Sequence, residues 1–304
     1  MKKVAYLLAV IILASCGGGD TFTAKNGTVV TYLKKGEDTA PSDSLISYLI
    51  LKYETADGKV IFESTLDAPT PVKIDSNFLQ NEGDFFEILS KLKVGDSTTC
   101  QMTASDLFLE NFKGALPDSV TEEDLITISA SFLEQVSMET YQQKAIELRK
   151  DQTLAQLDPN QMAADIQTID EFLTENGIEA QRTAAGVRYV ITEQGNGPKP
   201  ELGQNVTVHY AGRLLTGEYF DTSMEEVAKA EGLYTAQRQY QPYPIQIWSS
   251  PVISGWHDGI SQLNEGTKAT LYIPSPMAYG PRDRSEIITA NSILVFDVEL
   301  VEVD

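Results

Sequence analysis

Residues 206–223 read VTVHYAGRLLTGEYFDTS, and this stretch decides the fold of the C-terminal part of the chain. Apolar and polar residues alternate up to Tyr210, which is typical of a strand with one buried face. Gly217 then marks a turn, and an aromatic residue, an acid and a Thr-Ser pair follow it. The pattern predicts antiparallel β-structure.

The same pattern occurs earlier in the chain. Residues 49–65 read LILKYETADGKVIFEST, and residues 85–102 are similar to residues 256–273 in the same order. Another alternating strand is predicted near the end of each copy, at 126–136 and at 293–303. At one constant spacing, Leu92 corresponds to Leu263, Gly95 to Gly266 and Phe108 to Tyr279. The repeat predicts two copies of one α+β unit, each with several antiparallel strands and one short helix, around 256–263 in the second copy.

The period changes to that of a helix between the two copies. Apolar residues at helical spacing predict two helices, the first with Tyr141, Ala145, Leu148 and Ala155 and the second with Met162, Ile166, Ile169 and Leu173. For the second helix, the sequence predicts Asp158 as the N-cap, Gln161 as its capping-box partner and a stop at Asn176-Gly177. Each apolar stripe must be buried. Packing within the protein and a dimer or client interface both stay open.

The N-terminus has the pattern of a bacterial export signal. Lys2 and Lys3 precede an apolar run, and Leu13-Ala14-Ser15-Cys16 resembles a lipobox. We expect residues 1–15 to be a signal peptide, Cys16 to be lipidated and residues 16–24 to be a flexible tether. The expected location is therefore the bacterial cell envelope, on the periplasmic or surface face of the outer membrane. An ordinary signal peptide with a chance cysteine is the alternative.

Composition excludes several classes of function. The 304 residues contain 23 Lys and Arg against 44 Asp and Glu, a net charge of -21, so nucleic-acid binding is not expected. Two Cys and two His are too few for a His/Cys metal cluster. Cys100 alternates with polar residues, which predicts a buried, unreactive thiol. No Ser/His/Asp set, phosphate-binding loop or paired-carboxylate motif occurs, and no cofactor or metal is expected.

Five strings in the second copy carry a family resemblance. They are GQNVTVHY at 203–210, GEYFDTS at 217–223, VISGW at 252–256, AYG at 278–280 and LVFDVEL at 294–300. In this order they resemble an FKBP-type peptidyl-prolyl cis-trans isomerase domain, over residues 184–304. The resemblance implies a twisted antiparallel sheet around a short helix, with an apolar pocket between them.

The resemblance also implies a proline-binding site. Its pocket would be lined by aromatic and aliphatic side chains, with Trp256 as the floor, Ile288 on the closing loop and Tyr243 at the rim. Tyr279 would donate its hydroxyl to the substrate carbonyl, Ile253 its backbone N–H to the next carbonyl, and Asp221 would lie at the pocket edge. The pocket-lining residues are Tyr210, Phe220, Tyr243, Val252, Ile253, Trp256, Ile288 and Phe296.

Two histidines and one insertion are further features of this copy. His209 is expected to be structural, and His257 is expected to be exposed. Residues 225–241 are an insertion relative to short family members; it is a surface addition on one interpretation and an extra substrate rim on the other. Arg284 and Thr289-Ala290 depart from the residues common in the family, so a macrolide ligand of the pocket stays open.

The first copy departs further from the family pattern. On the sequence alignment, Tyr53 is kept, Phe62-Glu63 replaces Phe220-Asp221, and Phe85, Phe108 and Ser129 stand for Trp256, Tyr279 and Phe296. A phenylalanine cannot donate a hydrogen bond, and a serine removes a pocket wall. Residues 25–136 are therefore predicted to be a diverged, inactive FKBP-like domain. Residues 137–183 are predicted to be a helical linker.

We therefore expect an α+β protein of two FKBP-like domains that acts as a prolyl isomerase. The expected substrates are proline-containing unfolded or exported proteins, and the membrane is reached through lipid on Cys16. A dimer through the linker helices stays open. The alternative function is a non-catalytic lipoprotein chaperone or scaffold that binds unfolded or partner proteins through FKBP-like folds.

Overall fold

The computed structural model describes residues 20–36, 39–81 and 83–304. The predicted signal peptide, the predicted lipidation site Cys16 and the start of the predicted tether lie outside the described residues. The described chain forms two compact units, one up to Tyr141 and the other Gln142–Asp304. Each unit is built on its own antiparallel sheet, so the predicted α+β class is confirmed for both.

The first unit has a sheet of seven strands, two short helices and a π-helical segment, Ser105–Asn111. The elements are β1 (Thr21–Thr23), β2 (Val29–Lys34), β3 (Leu45–Thr55), β4 (Val60–Glu63), β5 (Thr70–Val72), α1 (Ser76–Leu79), α2 (Asp84–Lys91), β6 (Ser97–Thr103) and β7 (Leu125–Ser137). The sheet order is β1-β2-β6-β7-β3-β4, with β5 paired to β3.

The second unit begins within α3 (Met138–Ala155) and continues through α4 (Pro159–Glu175). Its remaining elements are β8 (Gln181–Arg182), β9 (Arg188–Glu193), β10 (Asn205–Leu214), β11 (Tyr219–Thr222), α5 (Glu225–Ala230), β12 (Tyr243–Gln246), α6 (Ser254–Ile260), β13 (Lys268–Ile273) and β14 (Leu294–Val303). The sheet order is β8-β9-β13-β14-β10-β11, with β12 paired to β10. This is the strand order of the first unit, so the predicted repeat is a repeat of topology.

The short helix α6 packs against the core-facing side of the second unit's sheet. A Cβ at Gly255 would lie 2.3 Å from Cγ2 of Ile273, so only glycine lets the helix approach β13 this closely. Every residue of α6 except Ser254 is buried, including His257, which is 4% exposed. The expectation that His257 is exposed is wrong, because the sheet and the preceding loop enclose the whole helix.

The helix α4 packs against the second unit as the apolar stripe predicts. Ile169 and Leu173 are buried in a cluster with Tyr272 and Val295. A carboxylate oxygen of Asp165 accepts a hydrogen bond from the Ser275 backbone N–H at 2.7 Å. Packing within the protein therefore accounts for this stripe.

Two details of the predicted linker helices are wrong. Asp158 caps α4, but the side-chain amide of Gln161 donates to Asp165 rather than back to the cap, so the reciprocal capping box is not formed. On α3, Leu148 is 55% exposed, whereas Ile146 and Leu154 pack on the core of the second unit. The stripe on α3 therefore runs along a different face from the one predicted.

The N-terminal tether is shorter than predicted. Thr21–Thr23 pairs with Val29–Thr31 as an antiparallel edge strand, so ordered structure begins before residue 24. Cys100 lies in β6 with its side chain buried, and burial raises the pKa of its thiol to about 12. That agrees with an unreactive core cysteine. Among the described residues, no helix has the length and apolar character to cross a membrane.

Candidate active site

The centre of the candidate site is a group of aromatic rings between α6 and the sheet. The ring centroids of Tyr210 and Trp256 are 5.0 Å apart, and Phe296 lies 5.2 Å from Trp256 and 6.2 Å from Tyr210. Phe220 packs edge-on to Phe296 at 5.7 Å. These contacts join strands β10, β11 and β14 to the helix, so four of the predicted pocket residues come together.

Strand alternation places the pocket residues on one face. On β10, Val206, Val208 and Tyr210 are buried and point to the core, as residues two apart on a strand do. At Gly212, which follows on the same face, a Cβ would lie 2.6 Å from Phe220 and 2.7 Å from Phe296. Glycine at this position is therefore what allows both rings to close over the pocket.

The remaining predicted residues surround these rings. The ring of Tyr243, which is 46% exposed, lies 6.4 Å from Tyr210 and 6.3 Å from Trp256, at the rim. Ile288 is buried in the same core cluster, in the loop between Gly280 and β14. Val252, Ile253 and Tyr279 pack partly buried against that cluster.

Two polar groups at the site are free to donate. The hydroxyl of Tyr279 and the backbone N–H of Ile253 make no hydrogen bond to any residue in the described ranges. The guanidinium of Arg284 lies 5.4 Å from the centroid of the Tyr279 ring, on the 280s loop. Both donors can therefore serve a ligand without first giving up a partner within the described chain.

The carboxylate of Asp221 is held at the pocket edge by both of its oxygens. Oδ2 accepts a hydrogen bond from the Tyr210 hydroxyl at 2.6 Å, and Oδ1 accepts from the Thr222 N–H at 2.9 Å. Burial, followed by this contact with Asp221, raises the pKa of Tyr210 well above its usual range. Tyr210 therefore stays a neutral donor, and Asp221 is fixed as an acceptor.

Sequence reasoning missed one member of this group, Arg238. Its Nη1 donates to Asp221 Oδ1 at 2.5 Å and its Nη2 to the Tyr210 hydroxyl at 3.1 Å. Arg238 belongs to the 225–241 insertion, which holds only one other cation, Lys229. Lys229 pairs with Glu225 one helical turn earlier. The four-residue spacing of Glu225 and Lys229 is visible in the sequence and could have predicted this pairing, which leaves Arg238 as the cation available to the pocket carboxylate.

The insertion holds Arg238 through stacked aromatic rings. The Arg238 guanidinium lies 5.6 Å from the ring centroid of Tyr240, and Tyr240 stacks on Tyr234 at 5.7 Å. The Tyr240 hydroxyl accepts a hydrogen bond from the Thr235 N–H at 2.9 Å. Of the two interpretations of the insertion, these contacts favour the rim over a bare surface addition.

The two histidines have structural partners. His257 Nδ1 accepts from the Trp248 N–H at 2.9 Å, and its Nε2 lies 3.0 Å from the Ser250 carbonyl oxygen, so this ring is neutral with the proton on Nε2. Burial lowers the pKa of His257. His209 Nδ1 lies 3.1 Å from the Ser223 hydroxyl. Across the described part of the chain, no three His, Cys, Asp or Glu side chains are grouped as metal ligands would be.

The first unit repeats the fold, but its residues match those of the second unit at positions shifted from the predicted match. The Leu51 N–H donates to Ser64 Oγ and the Tyr210 N–H to Ser223 Oγ, both at 2.8 Å, so Leu51 occupies the position of Tyr210. The strand registers of β3 and β10 shift directly after Tyr53 and Gly212. Tyr53 is therefore equivalent to Gly212, and the predicted match of Tyr53 with Tyr210 is wrong.

The same register corrects the remaining matches. Ile128 is opposite Tyr53, as Phe296 is opposite Gly212, so Ile128 rather than Ser129 replaces Phe296. By the equal spacing of Leu51 to Ser64 and Tyr210 to Ser223, Phe62 takes the position of Asp221. The first unit thus lacks the carboxylate and three of the four pocket rings, because Leu51, Ile61 and Ile128 take the positions of Tyr210, Phe220 and Phe296.

The first unit also fills the corresponding space with its own side chains. The Phe112 ring packs edge-on to Phe85 at 4.9 Å and lies 6.0 Å from Tyr53. Tyr53 in turn lies 6.0 Å from Phe85 and 5.3 Å from Phe62. The space beside Phe85, where the second unit has its pocket, is occupied by aromatic rings.

Comparison with known proteins agrees with this geometry. Residues 197–301 match the profile of the FKBP-type peptidyl-prolyl cis-trans isomerase family. A probable FKBP-type peptidyl-prolyl cis-trans isomerase FkpA of Neisseria meningitidis is 36% identical over 186 residues, which are 60% of this chain and 58% of that relative's length. FK506-binding protein 1 of Gibberella zeae is 38% identical over 123 residues, 39% of this chain and 98% of that protein.

Among solved structures, a peptidyl-prolyl cis-trans isomerase of Pseudomonas syringae is 29% identical, with a TM-score of 0.36, over 47% of this chain and 95% of that one. The family assignment follows from the two sequence relatives and the profile. The chain belongs to the FKBP-type peptidyl-prolyl cis-trans isomerase family.

Proposed function

We propose that the second unit catalyses cis-trans isomerisation of Xaa-Pro bonds in exported proteins. The observation that carries this proposal is the aromatic group of Tyr210, Trp256 and Phe296 beside a fixed Asp221 carboxylate. A proline ring is apolar and compact, and a largely apolar pocket with few, well-placed polar groups suits it.

The reaction needs no nucleophile. Rotation about the prolyl bond breaks amide resonance, and the barrier is about 18–20 kcal/mol. The twisted amide is less dipolar than the planar one, so a pocket that excludes water favours the twisted form. Donors aimed at the carbonyls of the twisted bond lower its free energy further.

In this proposal each polar group has one task. The Tyr279 hydroxyl donates to the carbonyl of the residue before proline, and the Ile253 N–H donates to the carbonyl of the proline. Asp221 lies at the pocket edge, where Tyr210 and Arg238 fix the orientation of its charge. The unpaired state of both donors within the described chain supports this assignment.

An NMR exchange assay on an Xaa-Pro peptide tests the proposal with the full chain. We expect isomerisation well above background, and a loss of about 100-fold or more in kcat/KM when W256A and Y279F are combined, because the floor and a donor are then both missing. FK506, the ligand in the name of the Gibberella zeae relative, should inhibit if the pocket accepts a macrolide. Activity that survives W256A/Y279F unchanged refutes the pocket assignment.

We propose a second, non-catalytic role for the first unit. Phe62 and Phe112 border its filled pocket and are 41% and 37% exposed, which gives an unfolded protein an aromatic surface to contact. On this proposal the first unit holds clients while the second isomerises them. The exposed aromatic surface thus supports a chaperone or scaffold role for the first unit, in addition to catalysis by the second.

We further propose that lipid on Cys16 anchors the protein to the bacterial envelope, in the outer membrane. The support is the sequence Leu13-Ala14-Ser15-Cys16 and the absence of an aspartate directly after the cysteine. Mass spectrometry of protein made in a bacterial host should find an acylated N-terminal Cys16. An unmodified Cys16, or a chain that retains Met1, contradicts the proposal.

A further inference from the structure

A second cavity lies next to the proposed proline pocket. Its volume is about 290 Å³, and it lies between α3 and the segment 248–254, with Pro276 and Ala278 also on its wall. Val252 and Ile253 line both this cavity and the pocket. The cavity therefore borders the site through these two residues, and its volume is close to the lower limit of the roughly 300–1,000 Å³ range of ligand pockets.

Both walls of the cavity are fixed by the fold. On one side, Leu154 of α3 and Leu157 just after that helix pack on the core of the second unit, and the Lys150 ammonium lies 5.6 Å from the Trp248 ring centroid. On the other side, His257 holds the 248–250 backbone at the Trp248 N–H and the Ser250 carbonyl. The cavity is thus a preformed groove.

The chemistry of the groove is cationic and hydroxyl-rich. Arg149 lines it, together with several serine and threonine side chains and the neutral His257, and none of its lining residues is an Asp or Glu. By contrast, three other cavities within the described residues each have Asp or Glu in their lining.

Arg149 is available to a ligand. Its side chain has no ion pair or hydrogen bond to any residue that the structure describes; only its backbone carbonyl is used, by the Thr153 hydroxyl at 2.8 Å. A guanidinium binds carboxylates through strong, charge-assisted hydrogen bonds. The expected ligand group is therefore a carboxylate.

We propose that this groove binds the stretch of substrate that follows the proline, and that Arg149 selects an aspartate or glutamate side chain there. The inference rests on the proposed function, in which the Ile253 N–H binds the carbonyl of the proline. The substrate chain then leaves the pocket at Ile253, where the groove begins, and advances about 3.3 Å per residue if extended. An acidic residue one to three positions after the proline comes within reach of α3.

Peptides of one length, with a single Leu-Pro bond, test the proposal on the full chain. Glu, Gln or Lys is placed at the first, second or third position after the proline, and a matched set carries the same residues before it. NMR exchange gives kcat/KM for each peptide. At one of the positions after the proline, we expect kcat/KM to be about three- to tenfold higher for the Glu peptide than for the Lys peptide, which is the scale of a partly exposed charge contact. This ratio should become smaller at high salt.

Substitutions then assign the preference. R149Q should bring the Glu-to-Lys ratio to about one, and R149E should reverse it. R182Q, a matched change on the exposed strand β8 at the far edge of the sheet, should keep the ratio. Tryptophan fluorescence checks folding, because both tryptophans, Trp248 and Trp256, lie in the second unit.

The outcomes separate this inference from the proposed function. If the chain isomerises all peptides equally, or R149Q slows all of them equally, the groove assignment is wrong and the isomerase proposal stands. If no peptide is isomerised, the proposed function fails and the groove assignment fails with it. A preference that appears only for residues before the proline also overturns the groove assignment.

Discussion

Arg238 is the residue through which the insertion reaches the pocket. Its guanidinium donates hydrogen bonds to the Asp221 carboxylate and to the Tyr210 hydroxyl, and it also lies on the ring of Tyr240. We infer that it positions Asp221 rather than contacting substrate. Because a guanidinium donates from two separate nitrogens in one plane and also stacks on an aromatic ring, whereas an ammonium donates from a single nitrogen, lysine is not an equivalent replacement here.

The first prediction concerns this contact. R238A should lower kcat/KM about three- to tenfold; the loss is limited because the side chains of Arg238 and Asp221 are 38% and 40% exposed. R238K should recover only part of the activity. K229A, which removes the other cation of the insertion, should have no effect on the assay. Equal losses in R238A and K229A contradict a specific positioning role.

The second prediction concerns His257 and pH. Burial lowers its pKa in the folded protein below the ordinary value of about 6.5. As the pH falls below about 6.5, the unfolded chain takes up a proton that the folded chain does not, so the free energy of unfolding should fall, by at most about 1.4 kcal/mol per pH unit. The two hydrogen bonds of the neutral ring are fully present above that pH.

Urea unfolding of the second unit, followed by tryptophan fluorescence between pH 7.5 and 5, measures this effect. H257Q can still accept from the Trp248 N–H and donate to the Ser250 carbonyl, but it does not titrate, so the pH slope should become smaller. H209Q replaces the other histidine and should keep the slope of the wild type. A slope that H257Q leaves unchanged shows that other groups cause it.

At the scale of elements, α4 is joined to the second unit by packing and by polar contacts. Ile169 is fully buried against the outer side of the sheet, and Arg188 donates to both carboxylate oxygens of Asp170, at 2.8 and 2.9 Å. The helix is therefore part of this unit's folded structure, although it precedes the region that matches the family profile.

The third prediction follows from that packing. I169A should lower the free energy of unfolding of the second unit by about 2–5 kcal/mol, the range for truncating a fully buried isoleucine. L148A, on the exposed side of α3, should change it by less than about 0.5 kcal/mol. Urea unfolding followed by tryptophan fluorescence measures both. If I169A costs no more than L148A, α4 is not integral to the unit.

The element scale also shows what the sequence could predict. The α4 stripe was predictable because all of it packs on one surface, whereas α3 changes partners along its length. Tyr141 packs on Tyr48 in the first unit, and Ile146 and Leu154 pack on the core of the second. No single face of α3 is buried throughout, so one stripe started from Tyr141 has the wrong phase.

The predicted match between the residues of the first and second copies was wrong for a different reason. A shift of two residues keeps every side chain on the same face of a strand, so alternation cannot distinguish Leu51 from Tyr53 as the partner of Tyr210. The hydrogen bonds to Ser64 and Ser223 and the register shifts after Tyr53 and Gly212, which are features of the folded chain, fix the match. His257 and Arg238 were missed because enclosure of α6 and folding of an insertion are tertiary effects without a periodic signal.

At the scale of the whole molecule, one fold occurs twice and its pocket is built once. In the second unit, Gly212 lets the Phe220 and Phe296 rings pack beside Tyr210 and Trp256. In the first unit, Tyr53 takes that position and Phe112 fills the space beside Phe85. The duplicated topology therefore favours a division of tasks, in which isomerisation belongs to the second unit and client contact to the first.

The fourth prediction tests that division with two variants of the full chain. W256A/Y279F removes the floor and a donor of the pocket, so the isomerase rate should fall to background while suppression of aggregation of an unfolded protein persists. F62S/F112S makes the exposed edge of the first unit polar, so suppression should weaken while the rate on a short Xaa-Pro peptide stays at the wild-type value.

Light scattering of a refolding client and NMR exchange on the peptide give the two measurements, on the same protein preparations. Leu66 is exposed in the first unit and is not among the packed rings, so L66S is the control for added polarity. Because each variant alters side chains of only one unit, the two losses should be separable. If either variant removes both activities, or if F62S/F112S and L66S are equal in the scattering assay, the division of tasks is wrong.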